Sequence, residues 1–365
     1  MNIHLKELGG LVAQGGFGQI RLARAKDARL SGHVVYAVKL LLPEFADEEQ
    51  FVKMFKDEAR VATLLHHPGI VTTLGTGEHD GTLFLVMEFL EGQSLQNVLA
   101  VLKQTEVGLN FQVAAWIAAR IAEALDYVHH KACNERGERL SVVHRDVSPS
   151  NIFLEHRGTV KLIDFGIAKT TLADRISRTR TGDFKGKFGY MAPEQTTVEG
   201  LRNVDARVDI FLLGIVLWEM LVGKRLFEAE NVSQILQAVS ACRVPPPSTM
   251  TACAAELDRI VMRALAKDLS LRYQIADEMR ADLDAFVGGK VAPRHIAQLL
   301  ATTFPDSADS HKQFHVGGMG LHAPESALRP TAEQIAARVR TPFWTPSQIL
   351  VIDSDLLRRR GKIAS

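Results

Sequence analysis

Cysteine is scarce in this chain: the 365 residues include three, Cys133, Cys242 and Cys253, far apart and without histidine or further cysteine at ligand spacing. This excludes a disulfide framework and a cysteine-based zinc site, and it fits a reducing compartment, so a cytoplasmic location is expected. An excess of either charge is missing too, with 43 basic residues against 42 acidic ones. Without a global field, nucleic acid and anionic membranes are not the expected partners, and specificity has to come from a local site. Long apolar runs are also lacking. The longest candidate, Ile210 to Val222, is interrupted by Glu219 and falls short of the roughly 18 residues of a membrane span, so it predicts a buried helix. The first residues hold no basic stretch followed by an apolar run, and no signal peptide is expected. What is present is 46% hydrophobic residues, enough for one large or two ordinary domains.

Over the first ninety residues, β-branched and alternating stretches bounded by glycines predict five antiparallel strands: Leu11 to Ala13, Gln19 to Ala23, His33 to Leu41, Val71 to Leu74 and Leu83 to Phe89. Between the first two lies Ala13-Gln14-Gly15-Gly16-Phe17-Gly18-Gln19-Ile20. Its clustered glycines would let backbone N–H groups approach phosphate oxygens, although a plain hairpin turn uses the same residues. The strand Tyr36-Ala37-Val38-Lys39-Leu40-Leu41 carries one lysine, which on an edge strand would simply snorkel to water. A helix is expected over Asp47 to Leu65, with Phe51, Phe55, Ala62 and Leu65 on one stripe and Glu58 on that same stripe. An inward carboxylate is costly unless it meets a cation, and Lys39 is the obvious one.

Helical spacing returns at Ser94 to Lys103 and Phe111 to His130, followed by a polar excursion, Cys133 to Arg139, read as a surface loop. Then comes Val143-His144-Arg145-Asp146-Val147-Ser148-Pro149-Ser150-Asn151-Ile152-Phe153-Leu154, an acid and an amide five residues apart just before an apolar strand. This reads as a base and a metal ligand on one loop. Thirteen residues past Asn151 stands Asp164, in Ile163-Asp164-Phe165-Gly166. Asp209 heads the apolar helix ending near Val222 and is expected as its N-cap. Leu257 to Phe286 predicts the last helices of this region. Past Gly288-Gly289 the pattern weakens, with helices expected at His295 to Phe304 and Thr331 to Arg340 around a flexible stretch, Pro305 to Pro324.

Taken in order over residues 8 to 287, these motifs resemble the protein kinase family, in its bacterial, eukaryotic-like serine/threonine form. The resemblance implies an α+β, bilobal kinase fold: a five-stranded antiparallel N-lobe with one main helix (1–89) and a mostly helical C-lobe (90–288), followed by a tail (289–365). It implies ATP and magnesium or manganese as cofactors and proteins as substrates. Gly15 and Gly18 match the second and third glycines of the glycine-rich loop, Ala13 replaces the first, and Ile20 takes the β-branched position. With Gly16 and Phe17 these would cover the nucleotide, which Ala37, Lys39, Met87 as gatekeeper, the hinge backbone from Glu88 to Leu90, and Phe153 would also touch. Lys39 with Glu58 matches the strand-to-helix ion pair. Asp146 matches the catalytic base, while Asn151 and Asp164 match the metal ligands. Glu194 with Arg272, and Asp209 holding the catalytic loop, would be structural. Arg145 implies a phosphorylated partner in the segment Ile167 to Ala192, and Thr179 or Thr181 is the expected autophosphorylation site, reached through a transient homodimer.

Two positions depart from the family. Ser148 stands where a lysine usually reaches the γ-phosphate, and Lys187 stands where a threonine precedes Gly189-Tyr190 by one apolar residue. They read either as one exchange, with Lys187 supplying the missing cation, or as drift. Drift would make the chain a nucleotide-binding pseudokinase scaffold instead of an enzyme. The loop from Asp146 to Asn151 lacks the Ala/Arg signature of tyrosine kinases, so serine/threonine specificity is expected.

Overall fold

The computed structural model describes residues 11–14, 18–26, 33–79, 81–165, 187–197, 204–305 and 350–353. They fall into two compact units, one comprising residues 1–63, 72–90 and 304–365, the other 64–71 and 91–303. The expected strand Val71 to Leu74 is displaced, and the helix expected at Thr331 to Arg340 lies outside the described residues.

The first unit is built on a sheet. Strands β1 (Leu11–Gln14), β2 (Gly18–Lys26), β3 (His33–Leu41), β4 (Thr73–His79) and β5 (Thr82–Glu88) run antiparallel in the order β1-β2-β3-β5-β4. Ala23, Val38, Leu40, Phe84 and Val86 form its buried cluster, with Tyr36 and Leu74 packed against it. The helix α1 (Glu49–Ala62) buries Phe55 and Ala59; of the expected stripe, Phe51 and Ala62 are only half-buried and Leu65 lies past the helix end. Strand β4 begins two residues later and runs five further than its apolar run suggests, and its ladder to β5 shifts register between Thr73 and Gly75.

The second unit is mostly helical. A small sheet, β6 (Gly92–Ser94), β7 (Ile152–Glu155) and β8 (Val160–Leu162), follows the order of its labels. The helix α2 (Leu95–Gln104) is capped by Ser94, whose side chain accepts from the Asn97 N–H. Next is α3 (Phe111–Asp126), whose alanines at 114, 115, 118, 119, 122 and 124 are buried. The expected continuation to His130 ends instead in a wide π turn, Tyr127–Lys131.

At the centre lies α4 (Arg207–Val222), buried from Val208 to Leu221, as a helix apolar on all sides must be. It starts at Arg207 with Ala206 as its cap residue, so Asp209 is not its N-cap. Asp209 is the third residue of the first turn, and its carboxylate turns away from the helix. Around it stand α5 (Val232–Ala241), α6 (Ala255–Ala264), α7 (Ala276–Val287) and α8 (Pro293–Thr303). Helix α5 adds an element beyond those the spacing leads one to expect, although Val232, Ile235, Leu236 and Val239 share one face and Asn231 caps it through the Gln234 N–H. Helix α8 docks beside the β7–β8 turn at Gly158, where φ is +92° and a Cβ would fall 2.1 Å from the Pro293 carbonyl oxygen.

A sixth strand, β9 (Leu350–Asp353), joins the larger sheet in parallel, pairing Ala23 with Leu350 through Lys26 with Asp353. It covers the half of β2 that β1, paired from Gln19 to Arg21, does not reach. Among the described residues, no helix is long and apolar enough to cross a membrane.

Candidate active site

Asp146 is buried and held at three points. Its backbone N–H donates to His144 Nδ1 at 3.2 Å, its Oδ2 accepts from Asn151 Nδ2 at 2.7 Å, and its main-chain carbonyl accepts from the same amide nitrogen at 2.8 Å. Both amide protons of Asn151 are thereby committed to Asp146. The Asn151 oxygen points the other way and meets Ser150 Oγ only at 3.4 Å. A hard divalent cation takes such oxygen donors together with carboxylates and phosphates, so Asn151 and Asp164 fit a magnesium site.

The loop is fixed from beneath by Asp209. Its Oδ1 accepts from the Arg145 N–H at 2.7 Å, and its Oδ2 accepts from the His144 N–H at 2.7 Å and faces His129 Nε2 at 2.8 Å. An acid buried without charge partners would be expelled, but three donors converge on this one. The side chain of His144 in turn packs at a tilt against Phe165, with ring centres 4.7 Å apart, and its Nε2 lies 3.3 Å from the Ile163 carbonyl. The Ile163 N–H donates to the Asn151 carbonyl at 2.9 Å. Asp164 is therefore laced to the loop of Asp146 through its neighbours on both sides. Arg145 and Asp164 both hold left-handed backbone, with φ of 64° and 54°, a conformation non-glycine residues rarely adopt.

Lys187 lies in the same unit with Nζ 3.9 Å from Asp146 Oδ2. Ser148 is buried, its hydroxyl 2.9 Å from Ser150 Oγ. Further along, Arg272 is fully buried and grips Glu194 through two nitrogens at 2.7 and 3.2 Å, while also donating to the carbonyls of Ala266 and Arg207. Tyr190 donates to Glu219 Oε2 at 2.6 Å and is covered by the Arg225 guanidinium, 4.5 Å from its ring centre. Burial pushes the Glu219 carboxyl up despite the pull of Arg225, and it raises the Tyr190 phenol well above its usual range.

In the sheet unit, Lys39 on β3 pairs with Glu58 on α1 at 2.7 Å, both side chains largely buried. A Cβ at Gly18 would lie 3.1 Å from the Leu40 carbonyl oxygen and 3.5 Å from Lys39 Cε, so the bare backbone leaves the lysine its path. Met87 is buried on β5, Ala37 and Ile20 are partly buried, and the Glu88 carboxylate accepts from the Thr72 N–H at 2.7 Å while its own N–H donates to the Thr72 carbonyl. Leu90 follows β5. Phe153, in the helical unit, is half-buried on β7 opposite Lys161 and Ser94. Gly15, Gly16, Phe17, Thr179 and Thr181, and the side chain of Ala13, lie outside the described residues.

Four contributors carry no role that the sequence assigns: His129, His144, Tyr190 and Glu219. Glu219 had a signal, an acid inside an apolar helix that needs a donor.

The family described as "Protein kinase domain" matches residues 6–282. Among curated relatives, the tyrosine-protein kinase MasK of Myxococcus xanthus is 37% identical over 278 residues, which is 76% of this chain and 42% of that protein. The serine/threonine-protein kinase PknB of Mycobacterium leprae is 37% identical over 282 residues, again 76% of this chain and 42% of that protein. The chain thus spans less than half the length of these curated relatives. Of solved structures, the Mycobacterium tuberculosis PknI kinase domain superposes with a TM-score of 0.55 at 24% identity, covering 79% of this chain and 96% of that one, which speaks to fold alone.

Proposed function

The chain belongs to the protein kinase family, and from that premise we propose that it is a serine/threonine kinase transferring the γ-phosphoryl group of ATP to protein hydroxyls. The observation that carries this is Asp146 held rigid by Asn151 and by the Asp209 clamp on its loop. A base fixed in this way can orient a substrate hydroxyl and take its proton. Lys39, steadied by Glu58, would bind the α- and β-phosphates. Asn151 and Asp164 would hold magnesium, which when bound neutralises charge between the β- and γ-phosphates. Ala37, Met87, the backbone of Glu88 to Leu90, and Phe153 would line the adenine, with Ala13 to Ile20 over the phosphates.

Serine/threonine specificity is supported by the PknB relatives and by the absence of the Ala/Arg signature between Asp146 and Asn151, whereas the MasK relative carries a tyrosine-kinase name. The catalytic domain would span residues 1–288, divided near residue 89, with 289–365 as a tail of separate role. Arg145 would meet a phosphate on Thr179 or Thr181, placed there by a second copy of the chain, and the scarcity of cysteine supports a cytoplasmic location. Transfer of labelled phosphate from ATP to itself and to a generic protein tests the reading, with Asp146→Asn as control and phosphoamino-acid analysis of the product. Label on serine and threonine is expected. Label on tyrosine alone overturns the specificity, and no transfer overturns the activity.

A further inference from the structure

The loop from Asp146 to Asn151 contains no basic side chain. Phosphoryl transfer nevertheless spreads negative charge over the migrating group, and a site that accelerates it aims a cation there. Among the described residues, a cation that the fold brings to Asp146 is Lys187. Its ammonium lies 3.9 Å from Oδ2, against 2.7 Å for Lys39 and Glu58. At that separation the two charges attract, and the ammonium stands beside the carboxylate. The backbone beneath it is anchored, since the Lys187 carbonyl accepts from the Tyr190 N–H at 3.1 Å and the next residue, Phe188, is 2% exposed. The lysine side chain itself is 43% exposed, so a ligand arriving from solvent can reach it. Ser148, by contrast, is buried, with its hydroxyl turned to Ser150.

We propose that Lys187 is a catalytic residue that contacts the γ-phosphoryl group during transfer, and that Ser148 and Lys187 form one exchanged pair. The proposal rests on the kinase reading above. In the step it serves, the substrate hydroxyl oxygen bonds to the γ-phosphorus while the bond from that phosphorus to the β–γ bridging oxygen breaks. ADP leaves with that electron pair. The hydroxyl proton passes to Asp146 and then to solvent, and Lys187 stays charged throughout, balancing the oxygens that carry the charge.

The test uses the full chain and four variants: Lys187→Met, Lys187→Thr, Ser148→Lys and the double change Ser148→Lys with Lys187→Thr. Loss of one such charge-stabilising donor is expected to lower kcat by ~10²–10³-fold. The double variant is expected to recover at least tenfold over Lys187→Thr. A second readout is binding of ADP with aluminium fluoride, a mimic of the transferring group. Lys187→Met should weaken that binding and leave ADP alone within twofold, because a group acting in the transition state binds its mimic selectively. Thermal unfolding confirms that each variant folds. Lys187→Met within threefold of wild type in kcat, or equal affinity of both proteins for ADP with aluminium fluoride, overturns the inference and leaves the kinase reading standing. A wild-type chain that transfers no phosphate overturns both.

Discussion

Asp209, buried near the start of α4, accepts the backbone N–H of Arg145 at 2.7 Å across 64 residues of sequence, and so sets the height of the catalytic loop on the central helix. With the His144 N–H on its other oxygen, the carboxylate serves as a two-pronged clamp. Asp209→Asn keeps the shape but offers one acceptor where two are needed. It should cost about 1.5–3 kcal/mol of stability, the worth of a hydrogen bond to a charged group. Because the loop shifts, turnover should fall on the order of 10²-fold. Urea unfolding and phosphotransfer rates measure the two effects separately.

The pair of Glu194 and Arg272 offers a second prediction. Arg272 is fully buried and Glu194 is partly buried. Arg272→Met leaves an unpaired carboxylate and strips the Ala266 and Arg207 carbonyls of their donor, and should destabilise by about 3–5 kcal/mol. Pairing it with Glu194→Gln should recover part of that loss, since the stranded charge is then gone. Thermal denaturation of the single and double variants gives the coupling directly.

Alkaline stability should depend on Tyr190 and Tyr273, both raised above the usual phenol range, first by burial and then by their carboxylate neighbours Glu219 and Asp282. A group with a raised folded pKa contributes stability that is complete below its unfolded value and is lost as pH rises through the folded one. For these phenols the loss should begin near pH ~10, the unfolded value. Difference absorbance at about pH 11 should show both rings un-ionised in the folded protein and ionising on denaturation. If they titrate while the protein stays folded, the buried hydrogen bonds are not as described.

Gly158 makes the fourth prediction. A methyl group there would run into the Pro293 carbonyl at 2.1 Å, on a backbone that already has φ of +92°. Gly158→Ala should cost about 1–3 kcal/mol for the strain alone, and it should loosen α8. Hydrogen exchange across Pro293–Thr303 should rise in the variant, with the amides of α4 less affected.

What could be read from the chain was whatever local spacing controls. Glu58 stands on the inward side of its helix, with Phe55 buried one turn before it, because a helix repeats every three to four residues, and its pair with Lys39 forms at 2.7 Å. Asp146 and Asn151 meet because five residues of loop bring them together, and the hydrogen bond at 2.7 Å is local. What spacing could not disclose was long-range satisfaction. An acid near a helix start reads as a cap, whereas Asp209 faces a loop whose approach depends on the tertiary fold. His129 meets Asp209 only because α3 ends in a π turn that changes the phase of its side chains. Nothing in Leu350–Asp353 marks it as the partner of β2, since a four-residue strand finds its edge through the fold and not through its own pattern.

Arg145 and Asp164, with φ of 64° and 54°, stand in a conformation that costs about 1–3 kcal/mol each. The lattice of Asp209, His144 and Asn151 around them outweighs that cost. A glycine at position 164 would relieve its share of that strain, while removing the carboxylate proposed to hold the metal. Under selection for durability alone, such changes would accumulate where the chain is most useful. A lineage released from its catalytic duty would be expected to grow sturdier as it falls silent.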